Sequence, residues 1–261
     1  MRIVRFTPGP DAGLGQDPLF GVLEDDATIS IISGDPIYSG IQKTAAKIEL
    51  NKVRLLAPII PRSKVVCIGK NYADHAAEMG GVVPEEPIIF LKPNTSVIGP
   101  NDTIVWPDMS ERVDHEAELA IVIGRICKDV PKERVNDVIF GYTIANDVTA
   151  RDLQKKDGQW TRAKGFDTFC PIGPWVDTDF IPGTQKITAT IAGEVKQSAQ
   201  ISDMIFDVPT IINFVSRVMT LLPGDIILTG TPAGIGPMVV GEKATMAIEG
   251  LGELTNKVSA K

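Results

Sequence analysis

Short apolar runs that alternate with polar positions, punctuated by glycine, proline and acidic pairs, set the pattern from the first residues onward. Ile3 to Phe6, Leu19 to Glu24 and Thr28 to Ile32 read as strands, with Asp25-Asp26 as a turn. A helix-like stretch, Ile41 to Leu50, follows, and Leu55-Leu56-Ala57-Pro58-Ile59-Ile60-Pro61 reads as a stiff, proline-punctuated connector. Beyond it, strands are expected at Lys64 to Ile68, Pro87 to Leu91, Ala117 to Ile123, Tyr142 to Ala145, Lys186 to Ile191, Asp225 to Leu228 and Ala244 to Ile248. One helix stands out. Val208, Ile211, Ile212, Val215, Val218, Met219 and Leu222 form an apolar stripe at helical spacing. Asp207 suits its cap, Pro209 its first turn, and Pro223-Gly224 its stop. The pattern predicts an α+β, β-rich chain: a small N-terminal α+β domain over residues 1–58 and a larger mixed β domain over 59–261.

Composition narrows the function classes. With 261 residues, 43% hydrophobic and 23% charged, the chain is an ordinary globular protein. A net charge of −7 gives no footprint for nucleic acid or an anionic membrane. No stretch of about 18 uninterrupted apolar residues suggests a membrane span. The start, Met1-Arg2-Ile3-Val4-Arg5-Phe6, lacks a signal-peptide pattern, and Cys67, Cys127 and Cys170 are far apart among apolar neighbours. Buried reduced thiols and a cytoplasmic address are the expectations.

The strongest local feature is Asp114-His115-Glu116-Ala117-Glu118, leading into Leu119-Ala120-Ile121-Val122-Ile123. Strand alternation points Glu116 and Glu118 the same way, while the residues after them are apolar on both faces, as in a buried central strand. Two carboxylates about 5 Å apart repel by roughly 3 kcal/mol at an effective dielectric of 20. A proton or a cation would offset that, although a wet strand end would also accommodate the pair. Asp147, at the end of another apolar strand, is the candidate third ligand; it or Thr149 also suits the cap of a helix over Ala150 to Lys156. Three carboxylates select a hard ion such as Mg²⁺ or Mn²⁺, and with only His75 and His115 present a three-histidine zinc site is excluded.

Other residues are candidates by type. His75 and Glu78 are i,i+3 neighbours in a short helix, a pairing suited to taking a proton from water or to a plain surface ion pair. Gly80-Gly81-Val82-Val83-Pro84 would allow that segment to act as a lid. Lys164 sits between Trp160 and Phe166, where it would meet a substrate carboxylate or simply snorkel to the surface. Leu228 to Gly236 is a glycine-rich loop without the marks of a P-loop or a Rossmann turn; its amides suit a small anion nest or an ordinary turn.

Six segments, taken in order, resemble the fumarylacetoacetate-hydrolase superfamily in its short acylpyruvase and oxaloacetate-decarboxylase branch. They are Gly69 to His75, Ile89 to Pro93, His115 to Leu119, Asn146 to Asp152, Trp160 to Phe166 and Gly224 to Pro232. The resemblance implies a mixed β-sandwich roll, usually as a homodimer. It implies Mg²⁺ or Mn²⁺ on Glu116, Glu118 and Asp147, with His75 and Glu78 as a water-activating dyad and Lys164 as a further catalytic group. Arg151, Gln154 and Thr231 would join Lys164 in contacting a small 2-oxo acid. The reaction expected is C–C cleavage of a β-keto or 2,4-dioxo acid, as acylpyruvate hydrolase or oxaloacetate decarboxylase. An isomerase or decarboxylase of the 2-hydroxyhepta-2,4-diene-1,7-dioate type, and a non-catalytic binding protein, are the alternatives.

Overall fold

In the computed structural model, which describes residues 1–78 and 80–261, one strand fixes the rest. Ala117–Ile123 is buried at all seven positions. It pairs antiparallel with Ile139–Asn146 on one side and Ile226–Leu228 on the other. Its odd-numbered residues, Leu119, Ile121 and Ile123, join the larger core cluster, while Ala120 and Val122 join a second cluster on the opposite face. A strand clad on both faces needs apolar side chains at successive positions, which is why its sequence does not alternate.

The sheet around it has twelve strands, ten on one continuous path. That path runs Lys43–Glu49, Thr28–Ile32, Leu19–Leu23, Arg2–Pro8, Cys170–Asp177, Ile139–Asn146, Ala117–Ile123, Ile226–Leu228, Val65–Gly69 and Ile88–Lys92. The pairing is mixed, because Ile226–Leu228 lies parallel to Val65–Gly69. A second sheet of five strands packs against one face, with Ile187, Ala189, Ala244, Met246, Ile248 and Leu254 turned into the shared core. Three short strands, Thr149–Ala150, Val113–His115 and Gly236–Pro237, form a third sheet beside the start of the central strand. The architecture is the α+β sandwich expected, rich in sheet.

The helix over Val208–Val218 has Asp207 as its cap, accepting from the Thr210 amide at 2.9 Å. It stops before Leu222. Met219 is extended and Leu221 pairs with Cys127 in a β-bridge, so the last two apolar positions of the stripe, Met219 and Leu222, lie outside the helix. A larger correction concerns Ile41 to Leu50, which is the strand Lys43–Glu49 and not a helix. Only Ile48 is buried there, and the segment pairs with Thr28–Ile32 as the outermost strand. An open sheet edge outcompeted the helix propensity of Ala45 and Ala46. The first 58 residues therefore hold five strands, covering about half of the segment, with one four-residue α-helix at Pro36–Ser39 and short 3-10 turns at Pro10–Ala12 and Leu50–Lys52. Their strand Arg2–Pro8 continues the main sheet through Arg2↔Asp177 and Ile3↔Val176. Among the described residues no helix is long and apolar enough to cross a membrane.

Ile121 is wholly buried at the centre of the sandwich. Ile121→Ala is expected to cost about 2–5 kcal/mol of unfolding free energy, read from urea titrations followed by circular dichroism.

Candidate metal centre

The register of the central strand builds the site. Ala117 pairs with Asn146 and Glu118 with Ala145, so the residue that follows the neighbouring strand, Asp147, falls beside Glu116. The Asp147 amide donates to the Glu116 carbonyl at 2.9 Å, and the Glu116 amide donates to the Asn146 side chain at 2.9 Å. Glu116, Glu118 and Asp147 each offer an oxygen within 4.8 Å of the others, and all three are buried. Sequence placed these three carboxylates in separate motifs; the fold brings them to one point.

Cations surround this point unevenly. Lys164 Nζ donates to Glu116 at 2.8 Å and to Asp147 at 2.6 Å, above the ring of Phe90. Lys92 Nζ reaches the other Asp147 oxygen at 2.6 Å and the Val148 carbonyl at 3.1 Å. Arg151 donates to Glu116, to Asp114 at 2.9 Å and to Gln154 at 2.6 Å. Asp114 is held in turn by the more exposed Arg112 at 2.8 Å. Four buried carboxylates (Asp114, Glu116, Glu118 and Asp147) thus face three buried cations (Lys92, Arg151 and Lys164).

Glu118 is the carboxylate left over. It accepts the Gly230 amide at 2.7 Å and makes no ion pair among the described residues. Burial, with Asp147 and Glu116 nearby, pushes its carboxyl well above the usual carboxylate range. Burial also works against Glu116, but Lys164 and Arg151 outweigh it and hold that carboxyl well below the range. Lys164 stays above its ordinary value despite burial because Asp147 and Glu116 favour its charge. The cluster lacks positive charge at Glu118. Three carboxylate oxygens without thiolate or imidazole make a hard donor set, so the residues present fit Mg²⁺ or Mn²⁺.

The cluster floors a cavity of about 180 Å³ that His75, Lys70, Phe90, Arg151, Gln154, Trp160 and Thr231 also line. That is well below the roughly 300–1,000 Å³ of drug-sized sites, which points to a small ligand. His75, on the short helix Ala73–Glu78, has Nδ1 3.3 Å from Glu78 Oε2. The Gly234 amide donates to both Glu78 oxygens at 3.2 and 3.3 Å. The glycine-rich loop is therefore a nest for two of the protein's own carboxylates, Glu118 and Glu78. Gly230 has φ +98°, and a Cβ there would meet Asn71 Cβ at 2.6 Å, so only glycine brings that amide to Glu118.

Several expected roles change. Asp147 and Thr149 do not cap the helix Arg151–Asp157; its N-cap is Ala150, because lysines occupy the Asp147 side chain and the Thr149 hydroxyl donates to the Asp147 carbonyl at 2.8 Å. Lys164 neither snorkels nor sits free for substrate, since its ammonium bridges two carboxylates. The Thr231 hydroxyl donates to the Ala117 carbonyl at 2.9 Å, although it borders the cavity. Cys67 and Cys170 are buried free thiols, but Cys127 is only partly covered. Sequence reasoning missed the roles of Lys92 and Asp114; the amides of the glycine-rich loop were a candidate nest, and the carboxylate Gly230 holds is the protein's own Glu118. A lysine closing the apolar strand Ile88–Lys92 was the available signal for the first of those roles.

A carboxyl with a raised pKa keeps its proton in the folded chain where the unfolded chain has lost it. Its penalty therefore grows as pH rises from the ordinary carboxylate range towards the raised value, and eases on acidification. Glu118→Gln should remove that pH dependence and raise the metal-free Tm by a few degrees near neutrality, as about 1 kcal/mol would in a chain of this size. It should also abolish Mg²⁺ binding in calorimetry, together with the proton that binding releases from Glu118.

Comparison with known proteins fits this geometry. Residues 64–259 match the family described as fumarylacetoacetate (FAA) hydrolase C-terminal, and residues 1–58 match a family described as Rv2993c-like, N-terminal. The chain is 59% identical to the protein Rv2993c of Mycobacterium tuberculosis over 87% of its own length and 85% of that protein. It is 46% identical to oxaloacetate tautomerase FAHD1, mitochondrial, of Arabidopsis thaliana, over 74% of this chain and 89% of the relative. A crystal structure of 2-hydroxyhepta-2,4-diene-1,7-dioate isomerase from Mycobacterium marinum superposes with a TM-score of 0.90 at 49% identity, covering 100% of this chain and 99% of that one. By sequence, by fold and by the acidic cluster at the start of its central strand, the chain belongs to the fumarylacetoacetate hydrolase superfamily of enzymes.

Proposed function

We propose that the chain is a Mg²⁺- or Mn²⁺-dependent enzyme that forms the enolate of a small 2-oxo acid. That step is shared by the C–C cleavage expected from the sequence and by the tautomerase and isomerase reactions named for its relatives. The observation that supports it most is Glu118, a buried carboxylate without a counter-charge in a cavity that also holds His75. When bound, a divalent ion would supply a Lewis acid that stabilises the charge developing on the keto oxygen by several kcal/mol.

The chain's own residues do the rest. A carboxylate only accepts, so the contact to Glu78 places the imidazole hydrogen on Nδ1 and leaves the Nε2 lone pair as the base. His75 is suited to take a proton from the carbon beside the keto group, or from a water, and to return it. Glu78, anchored by the Gly234 amide, holds the ring in place and steadies the charge it acquires. Lys164 and Arg151 keep Glu116 ionised and fixed, and Lys92 holds the Asp147 side chain in place, so the acidic face is rigid before any ligand arrives. Gln154, drawn to Arg151, presents an amide at the cavity wall that suits a substrate oxygen.

Tautomerisation is complete once a proton has moved between C3 and the keto oxygen by way of the enolate, whereas decarboxylation or acyl loss breaks a carbon–carbon bond to C3. The M. marinum structure and the A. thaliana relative favour the proton-transfer reading as the second possibility. With oxaloacetate, Mg²⁺ and heavy water, NMR should show deuterium entering C3 well above the uncatalysed rate. His75→Ala should slow this by about 10²–10⁴-fold, and Glu116→Ala should abolish it. Accompanying pyruvate assigns cleavage; exchange alone assigns tautomerisation. Neither exchange nor product with oxaloacetate, acylpyruvates or dienedioates would end the proposal.

A further inference from the structure

Lys70 lines the same cavity and the chemistry above leaves it unused. Its φ of 57° lies in the left-handed region, which non-glycine residues avoid. The surroundings enforce the turn. On one side, a Cβ at Gly69 would come within 3.0 Å of the Trp160 ring. On the other, Asn71 is fully buried and fastened by bonds to the Thr229 carbonyl at 2.7 Å, the Phe206 carbonyl at 3.0 Å and the Phe206 amide at 2.7 Å. With both neighbours anchored, the backbone bends sharply at Lys70. A Cβ on Gly81 would lie 2.6 Å from Lys70 Nζ, so the ammonium rests close against that glycine. Strain held by neighbours at a cavity wall marks a side chain placed for use.

Its charge is also available. Lys164 and Arg151 are committed to carboxylates, and Lys155, the remaining lysine at the cavity, is exposed to solvent. Lys70 is only partly exposed, and no carboxylate pairs with it among the described residues. A half-buried cation without a partner raises affinity for an anion that reaches it. The keto and carboxylate end of a 2-oxo acid belongs at the acidic cluster, which leaves its other end for Lys70. We propose that Lys70 determines substrate specificity by binding the distal carboxylate of a 2-oxo dicarboxylic acid, so that dioic substrates are preferred over monocarboxylic ones of equal length. This inference rests on the proposed function.

The test is calorimetry on the Mg²⁺-loaded protein with 2-oxoglutarate and 2-oxovalerate, which share a five-carbon chain and differ in the terminal carboxylate. Wild type should bind the dicarboxylate about tenfold more tightly, and Lys70→Met should bring the two within about threefold while leaving 2-oxovalerate unmoved. Lys70→Gly, which relieves the left-handed turn and so folds without strain, should do the same, and Lys70→Arg should retain the preference. Equal weakening of both acids, a preference that survives both neutral variants, or its loss on Lys155→Met would overturn the role of Lys70. Enolate chemistry on oxaloacetate with no dicarboxylate preference in the wild type, or with binding of neither acid, would overturn this inference alone; absence of that chemistry would end the proposed function and this inference with it.

Discussion

Burying four carboxylates at one end of a central strand is the constraint to which the rest of this molecule answers. Such groups lose several kcal/mol each on leaving water unless charges and donors replace it. A continuous chain of contacts meets that demand, running from Arg112 through Asp114, Arg151, Glu116, Lys164 and Asp147 to Lys92. Each of these carboxylates is satisfied on at least one side by a cation fixed in a helix or strand. Glu118 receives a single backbone amide. The arrangement is stable enough to fold and is short of positive charge at one position, which is what an ion-binding site requires before its ion arrives.

The β-sandwich supplies the rigidity. The central strand is clad on both faces, so a small rotation about its axis would cost packing in two cores at once. The turn after Leu228 and the end of Ile139–Asn146 are hydrogen-bonded to that strand, which fixes the distances between Gly230, Asp147 and the two glutamates. His75 comes from a different part of the sheet, the turn after Val65–Gly69, and Glu78 is tied back to the glycine-rich loop. Two elements, each tied to the glycine-rich loop, thus face one another across a small cavity, the arrangement that the proposed proton transfer calls for.

Much of this was legible in the chain. The unbroken apolar run after Glu118 announced a central strand, and Glu-x-Glu with a later Asp at a strand end gave the hard-ligand set. The partners of those carboxylates were not legible, because Lys92 and Asp114 act across sequence separations of 55 and 37 residues and no local period marks them. Lys164 was visible as a residue, but its neighbours in sequence, Trp160 and Phe166, gave no hint that its ammonium would lie over Phe90. The strand at Lys43–Glu49 was misread for a related reason. Its state is decided by a vacant edge on Thr28–Ile32, a tertiary fact, while its alanines speak locally for helix.

The central claim is that Glu116, Glu118 and Asp147 grip one divalent ion. Anomalous diffraction from crystals soaked in Mn²⁺ measures this directly. A single strong peak with oxygens of all three side chains about 2.0–2.3 Å away is the result expected of a hard-ion site. No peak at that position, with Lys164 still bridging Glu116 and Asp147 and Glu118 hydrogen-bonded as a neutral acid, would contradict it.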